Sequence, residues 1–231
     1  MLVVVTINTL EQYLAEFNTL AETEIYRGVG NVTEFKLVPT AGRFGIKDLK
    51  TQTEFEKQLL RDFKRSAPLY NSFIPKTELE WLFLAQHHGL PTRLLDWTFN
   101  PLVALFFAIE NEIDSDAAVY CSYLNKLINH ETVTGWRDPF AITELMEIVP
   151  SQDHTRYRNQ NGLFTIHSNP NTEDLSRVTK KIVIPAAYKK SIRWKLLKIG
   201  IGKAFIFSDL DSLSYDILSM NKSKYQSYFN K

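Results

Sequence analysis

A chain of 231 residues with 44% hydrophobic and 13% aromatic content carries enough apolar surface for one compact core, and its 23% of charged residues is ordinary for a globular domain. A formal charge of +1 argues against the strongly basic footprint of a dedicated nucleic-acid binder, and the single cysteine, Cys121, excludes an internal disulfide and a cysteine-rich zinc site. No stretch approaches the ~20 apolar residues of a membrane span, and the opening MLVVVTINTL lacks the basic region of a secretory signal, so the sequence reads as cytoplasmic, reduced and without a membrane partner.

In chain order, the N-terminal run reads as a strand or loop leading into a helix from Thr9 to about Ala21, opened by a capping-box pattern of Thr9 and Gln12. Glu24 to Val29 reads as a strand holding Arg27. A polar loop follows, then a helix from about Thr53 to Arg65 boxed by Thr53 and Glu56, then a loop from Ser66 to Lys76 with two prolines. Leu79, Leu82, Phe83 and Ala85 are at helical spacing behind a Thr77–Glu80 capping box, and Gly89 marks the stop. Ten connecting residues, Leu90 to Phe99, precede Asn100-Pro101, an N-cap and first-turn proline that open an apolar helix to Glu110.

Beyond that point, Ala117 to Tyr123, Leu163 to His167 and Lys181 to Ile184 read as strands, and Pro139 to Val149 as a helix. Tyr188 to Ile199 reads as a helix stopped by Gly200, followed by a strand at Phe205 to Phe207 and a closing helix from Ser208 to Met220. Strands and helices alternate without a βαβ rhythm, which gives an α+β class. The expected arrangement is a single domain over residues 1–231, with small mixed or antiparallel sheets flanked by helices.

The chemistry concentrates in WLFLAQHHGLPTRLLDWTFNPLVALFFA, residues 81–108, where Gln86, His87, His88, Arg93, Asp96, Trp97 and Thr98 lie between two apolar helices. Polar groups carried inward by such flanks need partners or a purpose. No GxGxxG, P-loop, HExxH or GxSxG motif is present, which disfavours the corresponding enzymes. His87, His88, Asp96, His154 and His167 make a poor metal set, because adjacent histidines diverge on a helix, and no metal is expected. Lys180, Lys181, Lys189, Lys190, Arg193, Lys195, Lys198 and Lys203 crowd the last third and read first as a solvated face.

Tyr26-Arg27-Gly28, the block AQHHGLPTRLLDWT at 85–98, NPLVALFFA at 100–108, QNGLFTIH at 160–167, Ile184-Pro185, Gly200-Ile201 and FSDLDSL at 207–213 together resemble the FRG domain family, named for a Phe-Arg-Gly motif. Tyr26 replaces the Phe, Pro39 and Arg43 stand in the loop where the family tends to have a Pro and an Arg, and Ser208 and Ser212 depart from its more usual Pro and Gly. The order of these motifs is also similar to that in ADP-ribosyltransferases. That resemblance implies NAD as substrate, an ADP-ribosyltransferase-like fold, and a transferase or NAD glycohydrolase of the kind used as a bacterial toxin or phage-defence effector. The partners it implies are a protein or nucleic-acid acceptor, with the basic face as a docking surface, and an antitoxin or activator chain.

The same resemblance implies roles for residues. Tyr26, Arg27 and Gly28 form the opening motif, where Arg27 grips the phosphates through its planar fork and Gly28 lets ligand approach the backbone. Asp96, Trp97 and Thr98 occupy the middle motif, and Gln160 stands where the superfamily has a Glu. A neutral amide cannot stabilise an oxocarbenium ion by charge, so Asp96 would supply it. His88 is the candidate acid or base, imidazole being suited to that work near neutral pH. Trp97 or Phe164 would stack on a planar base, with Gln86 and Arg93 beside the ligand. Each has a structural alternative: Arg27–Asp96 as an internal ion pair, His87–His88 as a packing pair, Arg93 on loop carbonyls, Gln86 and Gln160 as braces, Trp97 as core. On that second reading the protein is a non-catalytic ligand-binding or protein-interaction module.

Overall fold

The structure, a computed structural model, describes residues 2–17, 24–70, 74–110, 114–125, 127–129, 138–150 and 159–225. Within them the strands are β1 (Val3–Thr6), β2 (Glu24–Val29), β3 (Leu94–Thr98), β4 (Ala117–Tyr123), β5 (Leu127–Asn129), β6 (Met146–Val149), β7 (Gly162–Ile166) and β8 (Val178–Ile184). The helices are α1 (Leu10–Ala15), α2 (Leu49–Ser66), α3 (Glu78–His87), α4 (Pro101–Ile109), α5 (Ala186–Lys198), α6 (Lys203–Phe207) and α7 (Leu210–Lys224).

The class is α+β, but the strands make one eight-stranded mixed sheet, in the order β1-β8-β4-β2-β3-β7-β6-β5, rather than several small ones. The outermost pairs, β1 with β8 and β5 with β6, are parallel, and every inner pair is antiparallel. At the centre, β2 and β3 share a single registered pair, Tyr26 opposite Thr98. On either side the ladders are long: β2 pairs β4 along its whole length and β3 pairs β7 along its own.

Local chemistry explains most boundaries. Thr77 Oγ1 accepts from Glu80 N at 3.1 Å while Glu80 Oε2 accepts from Thr77 N at 3.3 Å, the reciprocal box the sequence announces for α3. Gly89, at φ +82, turns the chain out of that helix. Asn100 Oδ1 accepts from Leu102 N at 2.9 Å ahead of Pro101 and starts α4. For α2 the cap is Asp48, whose Oδ2 accepts from Thr51 N at 2.7 Å, so the helix begins before Thr53, and Glu56 is left to turn inward. Helix α1 stops at Ala15, and residues 18–21 of the expected longer helix lie outside the described residues.

Two expected elements change type. Phe205 to Phe207 lies in helix α6 because the Asp216 carboxylate accepts from Lys203 N at 3.2 Å and Ala204 N at 2.8 Å, satisfying first-turn amides that strand propensity would have left open. Pro139 to Val149 is turns followed by β6, whose residues pair with β7 and bury Met146 and Ile148; a short apolar run does not declare its period. The connection from Leu90 to Phe99 contains β3, with Leu94, Leu95, Trp97 and Thr98 buried and Asp96 exposed.

Three apolar clusters flank the sheet. Helices α1, α4 and α5 cover one, centred on Val103, Ala104, Leu105 and Ala108 against Tyr26, Val119 and Ile182. Helices α2 and α3 cover a second against Leu94, Phe164 and Ile166. A third joins Ile25, Leu37, Leu95, Trp97, Tyr120 and Leu163.

Candidate functional site

Alternation along β2 sends Tyr26 and Gly28 to the α4 side and Arg27 to the other face, beside the opening where β2 and β3 part. Across it, Arg27 Nη1 donates to the Asp96 main-chain oxygen at 2.5 Å and lies 3.7 Å from Asp96 Oδ2. The Arg27 side chain is 17% exposed and that of Asp96 57%, so a largely enclosed cation stands beside an open carboxylate. Arg27 Nε is shut from solvent and has no hydrogen-bond partner among the described residues. Burial works against its charge, Asp96 supports it, and the neighbouring guanidinium of Arg43 works against it again.

Asp96 is aimed by a short relay. Gln86 Nε2 donates to Asp96 Oδ2 at 2.8 Å, and Thr92 Oγ1 donates to Gln86 Oε1 at 2.6 Å while accepting from Leu94 N at 3.1 Å. Thr92, 2% exposed, thus orients the amide that orients the carboxylate. Gln86 serves here as a brace.

Other expected site residues are engaged elsewhere. Arg93 is fully buried and pairs with Glu56 through Nε and Nη2, each at 3.0 Å, with its guanidinium over the Phe140 ring at 4.7 Å. That bidentate pair bolts α2 to the start of β3, and Arg93 is not placed to meet a ligand. Trp97 is buried and donates through Nε1 to Thr165 Oγ1 at 3.0 Å. Phe164 stacks on Phe83 at 4.9 Å in the α3 core, so its face is already covered. Thr98 Oγ1 donates to the Gln160 carbonyl at 2.5 Å, and Gln160 Nε2 donates to Ile206 O at 3.3 Å, tying β3 and β7 to α6.

The opening motif also divides. Tyr26 packs in the α4-side cluster, edge-on to Phe17 at 5.3 Å, with its hydroxyl donating to Glu24 Oε2 at 3.2 Å. Gly28 is approached closely by the backbone of α4 rather than by ligand, since a β-carbon there would lie 2.0 Å from Ala104 O. His88, exposed at the C-terminal end of α3, meets His87 edge-on with ring centroids 5.0 Å apart. The structure therefore gathers Arg27, Asp96 and Gln86, and disperses the rest.

Sequence reasoning missed the roles of Thr92, Glu56 and His167. Glu56 carried a readable signal, since Gln52 and Glu56 repeat at helical spacing on the face that bears Leu60, and all three are buried. His167 is nearly enclosed: its Nε2 lies 3.1 Å from Thr165 Oγ1, and burial pushes it down to about 4, with Asp174 opposing and Arg27 and Arg93 adding to the shift.

The basic residues of the last third are largely occupied within the molecule. Lys180 pairs with Glu16, Lys195 with Glu11 and Lys203 with Glu110. Lys189 is buried and donates to Gly30 O and Ser115 O, while Lys181 and Lys198 lie over Tyr120 and Trp194. Among the described residues, no three His, Cys, Asp or Glu side chains converge as a metal site, and no helix is long and apolar enough to cross a membrane.

Comparison with known proteins returns the family model of the FRG domain over residues 22–117, a span that takes in β2, the relay from Gln86 to Asp96, and α4. No curated protein and no solved structure matches the chain. Residues 22–117 are therefore similar to the FRG domain.

Proposed function

We propose that this protein is an NAD-using enzyme of ADP-ribosyl type, a transferase or a glycohydrolase, with Arg27 and Asp96 at its centre. The observation that carries the reading is their pairing across the β2–β3 opening: a guanidinium with an unsatisfied enclosed donor next to an accessible, braced carboxylate. Arg27 binds the phosphates of NAD, and Asp96 lies beside the ribose, where its charge stabilises the oxocarbenium ion. The bond between ribose C1′ and the nicotinamide nitrogen breaks, nicotinamide leaves with the electron pair, and water or an acceptor nucleophile bonds to C1′ and gives up a proton. That proton passes to solvent, since His88, the exposed C-cap of α3, packs edge-on to His87 outside the Arg27–Asp96–Gln86 group.

On this reading the protein acts in the bacterial cytoplasm as a toxic or phage-defence effector, modifies a protein or nucleic-acid acceptor, and is held or released by an antitoxin or activator chain. The test is nicotinamide release from NAD by the wild type and by Arg27→Ala, with circular dichroism confirming that the variant folds. Release that persists in the folded variant removes Arg27 from the mechanism.

A second reading has its own observation. Arg93, Trp97, Thr98, Gln160 and Phe164 all spend their polar or aromatic surface internally, as expected of a scaffold for a non-catalytic binding or interaction module. It predicts no shift in melting temperature with NAD, whereas a ligand that binds the native state raises it.

A further inference from the structure

Helix α7 is inverted for a surface helix. The residues it turns inward are polar: Ser212 and Asp216 are buried, and the Asp216 carboxylate that caps α6 lies so close to Gly202 that a β-carbon there would stand 2.3 Å from Oδ2. Tyr215 steadies the same side, its hydroxyl bonded to Arg193 Nη2 and the Lys203 ammonium 4.5 Å from its ring centroid. The large apolar side chains point the other way. Leu210 is 77% exposed, Leu218 64% and Ile217 53%, and Leu213 and Met220 are exposed with them. A helix on a globular domain ordinarily does the reverse, with its apolar stripe on the core and its polar residues in water.

The outward residues are also ordered. Leu210, Leu213, Ile217 and Met220 recur at intervals of three and four, the spacing by which one helix seats its side chains into another, and Leu218 widens the stripe. The flanking charges decide what lies across it. Asp211 stands in the first turn and Lys222 in the last, both exposed. A second α7 laid antiparallel brings Asp211 of each copy toward the Lys222 end of the other and opposes the two helix dipoles, whereas a parallel copy sets acid on acid and base on base. The stripe is therefore complementary to itself about a two-fold axis, the isologous relation of a homodimer.

We infer that α7 is the contact of an antiparallel homodimer, in which Leu210 meets the partner's Met220 and Leu213 meets the partner's Ile217. The inference is independent of what the Arg27–Asp96 site does. Two short helices free in solution would associate poorly, because each would first have to be ordered; α7 is already held on the folded domain through Asp216, so association does not carry that cost.

The experiment is sedimentation velocity on the full chain over a range of concentrations, for the wild type, Ile217→Glu, Asp211→Lys, Lys222→Glu, and an equimolar mixture of the last two. Melting temperatures come first: all three positions are exposed, so each variant should match the wild type. The expected result is a wild type that passes from monomer to dimer as concentration rises, and an Ile217→Glu variant whose association is weakened by more than about tenfold, because a carboxylate then enters an apolar seam. Each charge variant alone should also associate less well, and their mixture should recover, since one carries two basic ends and the other two acidic ones. A mixture no better than its components overturns the antiparallel arrangement. A wild type that stays monomeric at every concentration overturns the dimer, and capture of that monomer, but not of Ile217→Glu, by phosphatidylcholine–phosphatidylglycerol vesicles would give the stripe to lipid instead. Dimerisation untouched by Ile217→Glu places the contact elsewhere and overturns the inference, as does a marked fall in that variant's melting temperature, which would mean that the chain's own residues cover the stripe.

Discussion

Gly28 of β2 lies so close to Ala104 of α4 that a β-carbon on it would stand 2.0 Å from the Ala104 carbonyl oxygen and 2.6 Å from the Ala108 amide nitrogen. The glycine of the Tyr-Arg-Gly motif is a packing residue, and its neighbour Arg27 is presented to the opening because α4 can settle onto the strand at this point. Small residues at 104 and 108 complete the contact.

Gly28→Ala should therefore destabilise the fold by about 3 kcal/mol or more, since the obstacle is backbone on both sides and no side chain can move aside. Chemical denaturation reads this directly. A variant as stable as the wild type would mean that α4 lifts away at no cost.

Glu56→Ala should be worse than an ordinary core truncation. It strands the buried Arg93 guanidinium, which already has Nη1 without a partner, and the loss should be about 4 kcal/mol. Replacing both members, with Glu56→Leu and Arg93→Met together, should recover much of that loss by removing the orphaned charge. A double variant no better than the single one would show that the pair stabilises beyond neutralising itself.

Asp96→Asn separates chemistry from scaffold. The side chain is more than half exposed, so stability should change by no more than about 1 kcal/mol, while nicotinamide release should fall by roughly a hundredfold or more if the carboxylate stabilises a developing cation. A large drop in melting temperature with unchanged turnover would invert the assignment and make Asp96 structural.

His167 sets a pH dependence. Its value falls from an ordinary 6.5 to about 4 in the folded protein, chiefly through burial, so between those limits the unfolded chain binds a proton that the folded one does not. The stability this group contributes is complete above 6.5 and is lost as pH drops toward 4, amounting to roughly 3 kcal/mol across the window. Denaturant midpoints at pH 7 and pH 4.5 should lie closer together in His167→Gln than in the wild type. Identical slopes would relocate the effect to the carboxylates.

Where local hydrogen bonding decides an element, the sequence showed it, in the Thr77–Glu80 box and Asn100-Pro101, and strand composition showed Glu24–Val29 and Ala117–Tyr123. Where a distant group decides, it did not. Phe205–Phe207 is helical because of Asp216, and β3 forms because β7 offers a full ladder to a segment that otherwise reads as a loop. At the site, Arg27 and Asp96 were both visible, and Gln86 was weighed as a brace as well as a ligand contact. Arg93 was misread as a ligand contact because its partner Glu56 lies 37 residues earlier, on a helix whose cap the Thr53–Glu56 pattern had mislocated. Trp97 and Phe164 look like stacking platforms in one dimension, and only packing reveals that Trp97 is buried with its Nε1 bonded to Thr165 and that Phe83 already covers Phe164.

The seam between β2 and β3 is one residue pair wide, so the twist of the sheet at its midpoint is governed by side chains and α4 more than by a ladder of main-chain bonds. Arg27 rides on one half of the sheet and Asp96 on the other. Their separation is thus a gauge of how the halves are rotated about each other, and a substitution that alters that rotation from the far side of α4 will retune the site without touching it.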